Sequence, residues 1–220
     1  MMESWTPEGG YMNHILYRMC AEQSRHNNPV VVAGKLELVG RAYSAAPSRG
    51  TKIDKFYADL AEAVVEQHVA LDAAITEAHE IKQPSLDGLP LILKAHALLN
   101  GLVVDFINSK IPGGGPRSVN HRISFCSKYL HFHVPTAFPI YDSIAQNALQ
   151  DRLKAGQFEA ARRHSDFAGT YAVFCRKLIA YASATHSEDW TPRSVDAELY
   201  GYDATNTRNG LDARSAAEPA

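Results

Sequence analysis

Apolar side chains recur every three or four residues along most of the chain, which is the period of a helix with one buried face. The pattern is clearest over 11–25, 31–45 and 52–83, and within the third stretch it is interrupted near His68. It continues over 89–107, which is much more apolar and is expected at the centre of the fold. Because the sequence shows neither sustained β alternation nor internal repeats, it predicts an all-α protein.

Shorter helices are predicted in the second half of the chain. They cover 118–132, 143–153, 158–164, 167–184 and 191–200. Either Asp142 or Ser143 is a suitable N-cap for the second of these helices, and Thr191 for the last. We expect residues 1–203 to form a single helical unit, or two lobes sharing a cleft, and the small polar segment 204–220 to be a disordered tail.

Composition places the chain among globular proteins. Hydrophobic residues make up 45% and charged residues 21%. The first residues lack the basic and apolar regions of a secretory signal, and no run of about 18 uncharged apolar residues occurs. Cys20, Cys126 and Cys175 form no CxxC pair and are expected to be buried thiols. These features predict a cytoplasmic monomer without membrane contact, metal or other cofactor.

Charge is unevenly distributed along the chain. The formal net charge of −2 disfavours a protein that coats nucleic acid, but it is compatible with one local basic cleft. Acidic residues are frequent over 54–80 and scarce over 109–128. The basic residues of the second stretch are Lys110, Arg117, His121, Arg122 and Lys128. We expect any DNA to bind at this cluster.

Two segments combine residue types that suit chemistry on DNA. Gly113, Gly114 and Gly115 allow a tight turn, and their backbone N–H groups with the following helix start can bind a phosphate. Downstream, 138–143 brings Asp142 to a helix start, where helix amides keep a carboxylate ionised and oriented toward a cationic transition state. A simple N-cap explains Asp142 equally well.

The two segments resemble the LPGxG hairpin and the catalytic-aspartate step of helix-hairpin-helix DNA glycosylases. Short similarities to small bacterial members at 40–43, 127–132 and 191–193 extend the resemblance over most of residues 10–200. The resemblance implies a helix-hairpin-helix glycosylase-like fold, with helical lobes around a central cleft, and double-stranded DNA carrying a modified base as the partner. It also implies that Asp142 stabilises the positive charge that develops on the deoxyribose as the base departs.

Members that also cleave the strand place a lysine just after the hairpin, where this chain has Arg117. A guanidinium stays protonated and cannot form a Schiff base. Lys128 or Lys110 would need a changed geometry to replace it, and the hairpin itself lies either at 113–115 or nearer 119–122. The resemblance therefore favours a monofunctional enzyme in which water attacks C1′, with Lys128 as the second catalytic candidate.

Two further groups of residues are assigned roles. DNA-backbone contacts are expected from Lys110, Gly113, Gly114, Gly115, Arg117, His121 and Arg122. A pocket for an extruded base is expected from Tyr129, His131, Phe132, His133 and Tyr141. Packing in a core explains these aromatics equally well. Because His131 and His133 are two positions apart and no motif places a third ligand, no metal site is predicted.

The resulting hypothesis is a glycosylase that flips out a modified base and leaves an abasic site. Glucosylated hydroxymethylcytosine of phage DNA, removed as antiviral defence, is the substrate implied by the small bacterial members. The alternatives are an 8-oxoguanine-type repair glycosylase with lyase activity and a non-catalytic helical module that binds DNA or protein. A metal-dependent hydrolase using His131, His133 and Asp105 is a further, weaker alternative.

Overall fold

The fold is built from helices. The structure is a computed structural model, and it describes residues 10–43, 45–48, 53–110, 122–153, 169–186 and 190–201. The helices are α1 Gly10–Glu22, α2 Pro29–Ala42, α3 Phe56–Glu66, α4 His68–Ala78, α5 Leu89–Lys110, α6 Ile123–His133, α7 Ser143–Arg152, α8 Thr170–Thr185 and α9 over 192–201. No strand occurs within the described ranges, so the all-α prediction is confirmed. The predicted helix over 158–164 and the predicted tail over 204–220 lie outside those ranges.

Side-chain caps start several helices where the sequence suggests. The Asn28 side chain accepts hydrogen bonds from the N–H groups of Val30 and Val31 at 3.0 and 3.3 Å, at the start of α2. At the start of α9, Thr191 Oγ1 accepts from the Ser194 N–H, and Ser194 Oγ accepts from the Thr191 N–H. These two reciprocal hydrogen bonds resemble those of a capping box and confirm Thr191 as the N-cap of α9.

The apolar stretch over 52–83 forms two joined helices. Gln67 separates α3 from α4, and the His68 side chain hydrogen-bonds through Nδ1 to the Val65 carbonyl at 2.6 Å. The predicted interruption near His68 is therefore confirmed. Its physical cause is a local one, because an imidazole that bonds a carbonyl of the preceding turn competes with helix continuation.

The helix α5 lies at the centre of the fold. It packs against α3, α4, α6 and α8, and Leu99 and Val103 on it are fully buried. It is also the one described helix that is long and apolar enough to span a membrane. The core helix of a soluble protein has the same properties, and Asp105 lies on the exposed side of α5.

Helices α1, α2 and α6 pack against one another. Gly40 permits the close approach of α2 to α3, because a Cβ there would lie 2.1 Å from the Tyr57 hydroxyl oxygen. Cys20, Cys126 and Cys175 are buried and unpaired, as predicted. Burial raises the pKa of the Cys20 thiol to about 12, so it stays protonated and inert at neutral pH.

Candidate functional site

Lys128 and Asp142 meet between α6 and α7. The Lys128 Nζ lies 3.6 Å from Asp142 Oδ2, and the two side chains are only 8% and 12% exposed. The chain between them turns back along α6, because the Tyr141 N–H donates to Ser127 Oγ at 3.0 Å and the His131 ring bonds the Phe138 carbonyl at 2.9 Å. These two bonds hold the end of the loop against α6 and set Asp142 beside Lys128.

The two oxygens of Asp142 have separate partners. Oδ1 accepts a hydrogen bond from the Ala145 N–H at 2.8 Å and so caps α7, which confirms the predicted N-cap. Oδ2 faces Lys128 and accepts the O–H of Tyr200 at 2.5 Å. The cap therefore fixes the carboxylate through one oxygen and leaves the other for contacts across the site.

Helix α9 adds a second carboxylate to the site. Asp196 is 4% exposed and pairs with the Arg193 guanidinium at 3.2 Å. Burial, followed by the nearby Asp142 charge, raises the pKa of the Asp196 carboxyl to about 7, although Arg193 and Lys128 oppose this shift. Asp196 and Asp142 are thus two carboxyl groups with different surroundings in one site.

Aromatic side chains of α1, α2 and α6 form the next layer. Burial lowers the pKa of His131 to about 4, so its ring is neutral. Because Nδ1 bonds the Phe138 carbonyl, Nδ1 carries the hydrogen and Nε2 accepts the O–H of Tyr17 at 2.8 Å. The Phe132 ring lies between those of Tyr17 and Tyr43, with centroids 4.8 and 5.3 Å away.

This aromatic layer borders the charged groups. The charges of Arg193 and Asp196 both act on the Tyr17 hydroxyl, whose pKa is raised to about 12 chiefly by burial. The Tyr43 hydroxyl is buried and has no hydrogen-bond partner among the described residues. A shallow cavity of about 540 Å³ opens beside Tyr43, between α1 and α2.

The residues predicted to line one base pocket lie on three surfaces. His131 and Phe132 contact Tyr17 near the charged groups. Tyr129 and His133 lie on the opposite face of α6, where they pack against each other and against His26, as in a core. The hydroxyl of the fifth, Tyr141, bonds Gln146 at 2.7 Å, and its ring contacts Phe174. All four α6 residues are buried: His131 and Phe132 lie behind the partly exposed Tyr17, near the charged groups, whereas Tyr129 and His133 pack on the opposite side.

The predicted DNA-backbone residues are only partly described. Gly113, Gly114, Gly115, Arg117 and His121 lie outside the described residues. Lys110 is exposed and pairs with Asp59 at 3.3 Å, and Arg122 is partly buried, which lowers its pKa. Lys128 belongs to the basic cluster in the sequence, but it points inward to Asp142. The cluster is therefore divided between the surface and the site.

The metal-dependent alternative lacks its site within the part of the chain that the structure describes. No three His, Cys, Asp or Glu side chains converge there in a way that could hold a metal ion. His131 is buried against Tyr17, whereas Asp105 is exposed on α5.

Three site residues were not predicted from the sequence: Tyr17, Asp196 and Tyr200. Two of the short segments similar to bacterial glycosylases contain neighbours of these residues. The segment 40–43 ends at Tyr43, and the segment 191–193 ends at Arg193. Periodicity places Asp196 and Tyr200 four positions apart on one helix face, but it does not say which neighbour that face meets. Only the packing of α9 near the start of α7 shows that Tyr200 contacts Asp142 and that Asp196 lies near it.

Comparison of the chain with protein-family models, with curated proteins and with solved structures gives no match.

Proposed function

We propose that the protein is a DNA N-glycosylase that removes a modified base from double-stranded DNA and leaves an abasic site. The observation that carries the proposal is the sheltered Lys128–Asp142 pair, in which one carboxylate oxygen is held by the α7 cap and the other is turned into the site. A preorganised carboxylate of this kind stabilises positive charge on a deoxyribose as the glycosidic bond breaks. The resemblance to helix-hairpin-helix glycosylases assigns the same role to Asp142.

In the hydrolytic route, Asp142 acts on a water molecule. The base leaves C1′ with the electrons of the glycosidic bond, water adds to C1′, and Asp142 Oδ2 accepts the proton that the water loses. The Ala145 and Tyr200 hydrogen bonds keep the carboxylate aimed throughout. Lys128 then supplies a positive charge beside the carboxylate.

A second route, glycosylase with lyase activity, is favoured by the 3.6 Å separation of Lys128 Nζ and Asp142 Oδ2. In this route the neutral Lys128 amine attacks C1′, the base leaves with the electrons of the glycosidic bond, and Asp142 accepts a proton from the Lys128 nitrogen. The nitrogen lone pair then forms a C=N bond as the C1′–O4′ bond breaks, and O4′ takes the proton from Asp142. The product is a Schiff base between Lys128 and the ring-opened sugar. Borohydride reduces a Schiff base to a stable covalent link, so it separates the two routes.

The substrate class rests on the resemblance alone. We propose a modified cytosine, glucosylated hydroxymethylcytosine of phage DNA, with 8-oxoguanine as the alternative. Tyr17 is partly exposed, packs on the buried His131 and Phe132, and lies next to the charged groups, a position that suits stacking on an extruded base.

The test is abasic-site formation under single-turnover conditions. Duplexes containing glucosylated hydroxymethylcytosine, 8-oxoguanine, uracil or only unmodified bases are incubated with the wild type and with Asp142→Asn. Asparagine keeps a capping oxygen but not the charge, so we expect a loss of about 10²–10³-fold in rate with little change in DNA affinity. Asp151→Asn, at an exposed position of the same helix, is the matched control and should react like the wild type.

Lys128→Met distinguishes the two routes. In the lyase route, borohydride traps the wild type on DNA and the variant is not trapped, whereas the hydrolytic route gives abasic sites without trapping. If no duplex yields abasic sites while all of them bind with strong salt dependence, the protein is a DNA-binding module instead.

A further inference from the structure

A second carboxylate is buried near the Lys128–Asp142 pair, and among the described residues only one of its oxygens has a hydrogen-bond partner. Asp196 Oδ2 accepts a hydrogen bond from Arg193 at 3.2 Å. Asp196 Oδ1 is buried and has no hydrogen-bond partner among the described residues. An ionised carboxylate is stable in a protein interior only when its oxygens are well bonded, so this environment favours the protonated acid.

Groups from four parts of the fold surround this carboxyl. Lys128 of α6, Asp142 before α7 and Arg193 of α9 act on Asp196, and the charge of Asp196 in turn acts on the hydroxyls of Tyr17 of α1 and Tyr200 of α9. Two carboxylates in one sheltered site repel each other, which favours a state with a single proton between them. Asp142 has the cap, Tyr200 and Lys128 to stabilise its charge, whereas Arg193 is the one hydrogen-bond donor to Asp196 among the described residues. The proton therefore resides on Asp196.

We propose that Asp196 is a positioning residue of the glycosylase site, holding a proton during the reaction so that Asp142 is the single ionised carboxylate facing Lys128. This inference rests on the proposed function. Deprotonation of Asp196 would place a second negative charge near Lys128. In the hydrolytic route this charge would draw the ammonium group away from Asp142, and in the lyase route it would keep the Lys128 amine protonated and unreactive. Activity therefore falls when Asp196 loses its proton to solvent.

The direction of the pH dependence follows from the surroundings of Asp196. Burial and the Asp142 charge raise its pKa to about 7, so the reactive form prevails below neutrality and declines above it. Asparagine imitates the neutral acid at every pH. Arg193→Met removes the positive charge that opposes the shift, so it should move the decline to higher pH.

The first measurement is the rate of abasic-site formation against pH. Duplexes containing glucosylated hydroxymethylcytosine and 8-oxoguanine are used with the wild type, Asp196→Asn and Arg193→Met. We expect the wild-type rate to fall about tenfold per pH unit above about 7, the Asp196→Asn rate to lack this fall, and the Arg193→Met rate to fall later. Asp87→Asn, at an exposed position between α4 and α5, is the control and should keep the wild-type profile.

The second measurement, unfolding by urea against pH, needs no substrate. The pKa of Asp196 is higher in the folded protein than its ordinary value of 3.8, so its stabilising contribution is complete below that value and is lost as pH rises through about 7. Between these limits, the folding equilibrium constant of the wild type should fall by up to tenfold per pH unit relative to that of Asp196→Asn. If the asparagine variant does not fold, Arg193→Met provides the same comparison through its shifted decline.

Each result decides a different claim. The proposal is supported if Asp196→Asn shows neither the fall in reaction rate above pH 7 nor the pH-dependent part of the wild-type stability. Equal pH dependence of unfolding in the two proteins would overturn it, whether or not any base is excised. Proton-linked stability without an effect on the pH profile of excision would overturn the positioning role. Proton-linked stability with no excision from either duplex would refute the proposed function for these substrates, and with it the role of Asp196 in that reaction.

Discussion

Replacing either member of the Lys128–Asp142 pair should destabilise the protein, because the charge that remains is nearly buried. At 3.6 Å and an effective dielectric constant of about 20, the attraction between the two charges is about 4–5 kcal/mol. Relaxation of the protein and of nearby water reduces this attraction, and a double-mutant cycle, in which the desolvation cost of each single group cancels, should give a coupling of about 1–3 kcal/mol. The single variants lose the attraction but retain one buried charge.

The two single variants should differ. In Lys128→Met, the Asp142 carboxylate keeps the Ala145 N–H and the Tyr200 O–H, so we expect a loss of about 1–2 kcal/mol. In Asp142→Asn, the Lys128 ammonium remains buried and must rely on Asp196, whose ionisation is unfavourable there. We expect a loss of about 2–4 kcal/mol for this variant.

The assay is urea unfolding of the wild type, both single variants and Lys128→Met/Asp142→Asn at pH 7, with Asp151→Asn as the control for a change of surface charge. The double variant should be destabilised by about 1–3 kcal/mol less than the sum of the single losses. Additive losses, within about 0.5 kcal/mol, would refute the reasoning, because they would mean that the two charges do not interact.

Three other substitutions and one titration test the packing and the site. Gly40→Ala should lower the free energy of unfolding by about 1–3 kcal/mol, because its Cβ would clash with the buried Tyr57 ring. Gly101→Ala should raise the free energy of unfolding by about 0.5–1 kcal/mol, because its Cβ meets no atom within 4 Å and alanine favours a helix. Urea unfolding measures both changes. Tyr200→Phe removes a hydrogen bond to the capping carboxylate, so abasic-site formation should slow while thermal unfolding changes by about 1 kcal/mol or less; an unchanged rate would exclude a positioning role. Burial lowers the pKa of His96 to about 4. The stability contributed by its neutral ring is therefore complete above pH 6.5 and is lost as the pH falls toward 4. The NMR signals of the His96 ring should show no inflection near pH 6.5.

Helical periodicity predicted most of the fold. The predicted stretches 11–25 and 89–107 correspond to α1 and α5, with ends that differ by one to three residues. The ends differ because caps and turns, rather than the apolar pattern, decide where a helix stops. Where the cap was recognised, as at Thr191 and Asp142, the starts of the helices agree.

The geometry of the site was less predictable, and the sequence around Lys128 shows why. The segment 127–133 reads as one dense cluster of aromatic and basic residues, yet a helix distributes it over two faces. Lys128 and His131, three positions apart, point toward the site, whereas Tyr129 and His133, four positions apart, point into the core. The spacing alone indicates this division, so it was available from the sequence.

The pairing of remote segments was not available from the sequence. Asp196 and Tyr200 come to Asp142 only because α9 packs beside the start of α7. Many helices carry a polar face with a carboxylate and a tyrosine four positions apart, and most such faces are exposed to solvent. Burial distinguishes this one, and burial depends on which helix packs against which.

A simple capping role does not account for the surroundings of Asp142. Capping requires one oxygen, and Oδ1 alone meets that requirement through Ala145. The Lys128 ammonium and the Tyr200 hydroxyl contact the other oxygen, the charges of Asp142 and the buried Asp196 interact, and a helix start gains nothing from these groups. Burying two carboxyl groups with the Lys128 ammonium costs stability that an apolar contact would not. That cost is typical of a site arranged for chemistry, and it favours a catalytic Asp142 over a purely structural one.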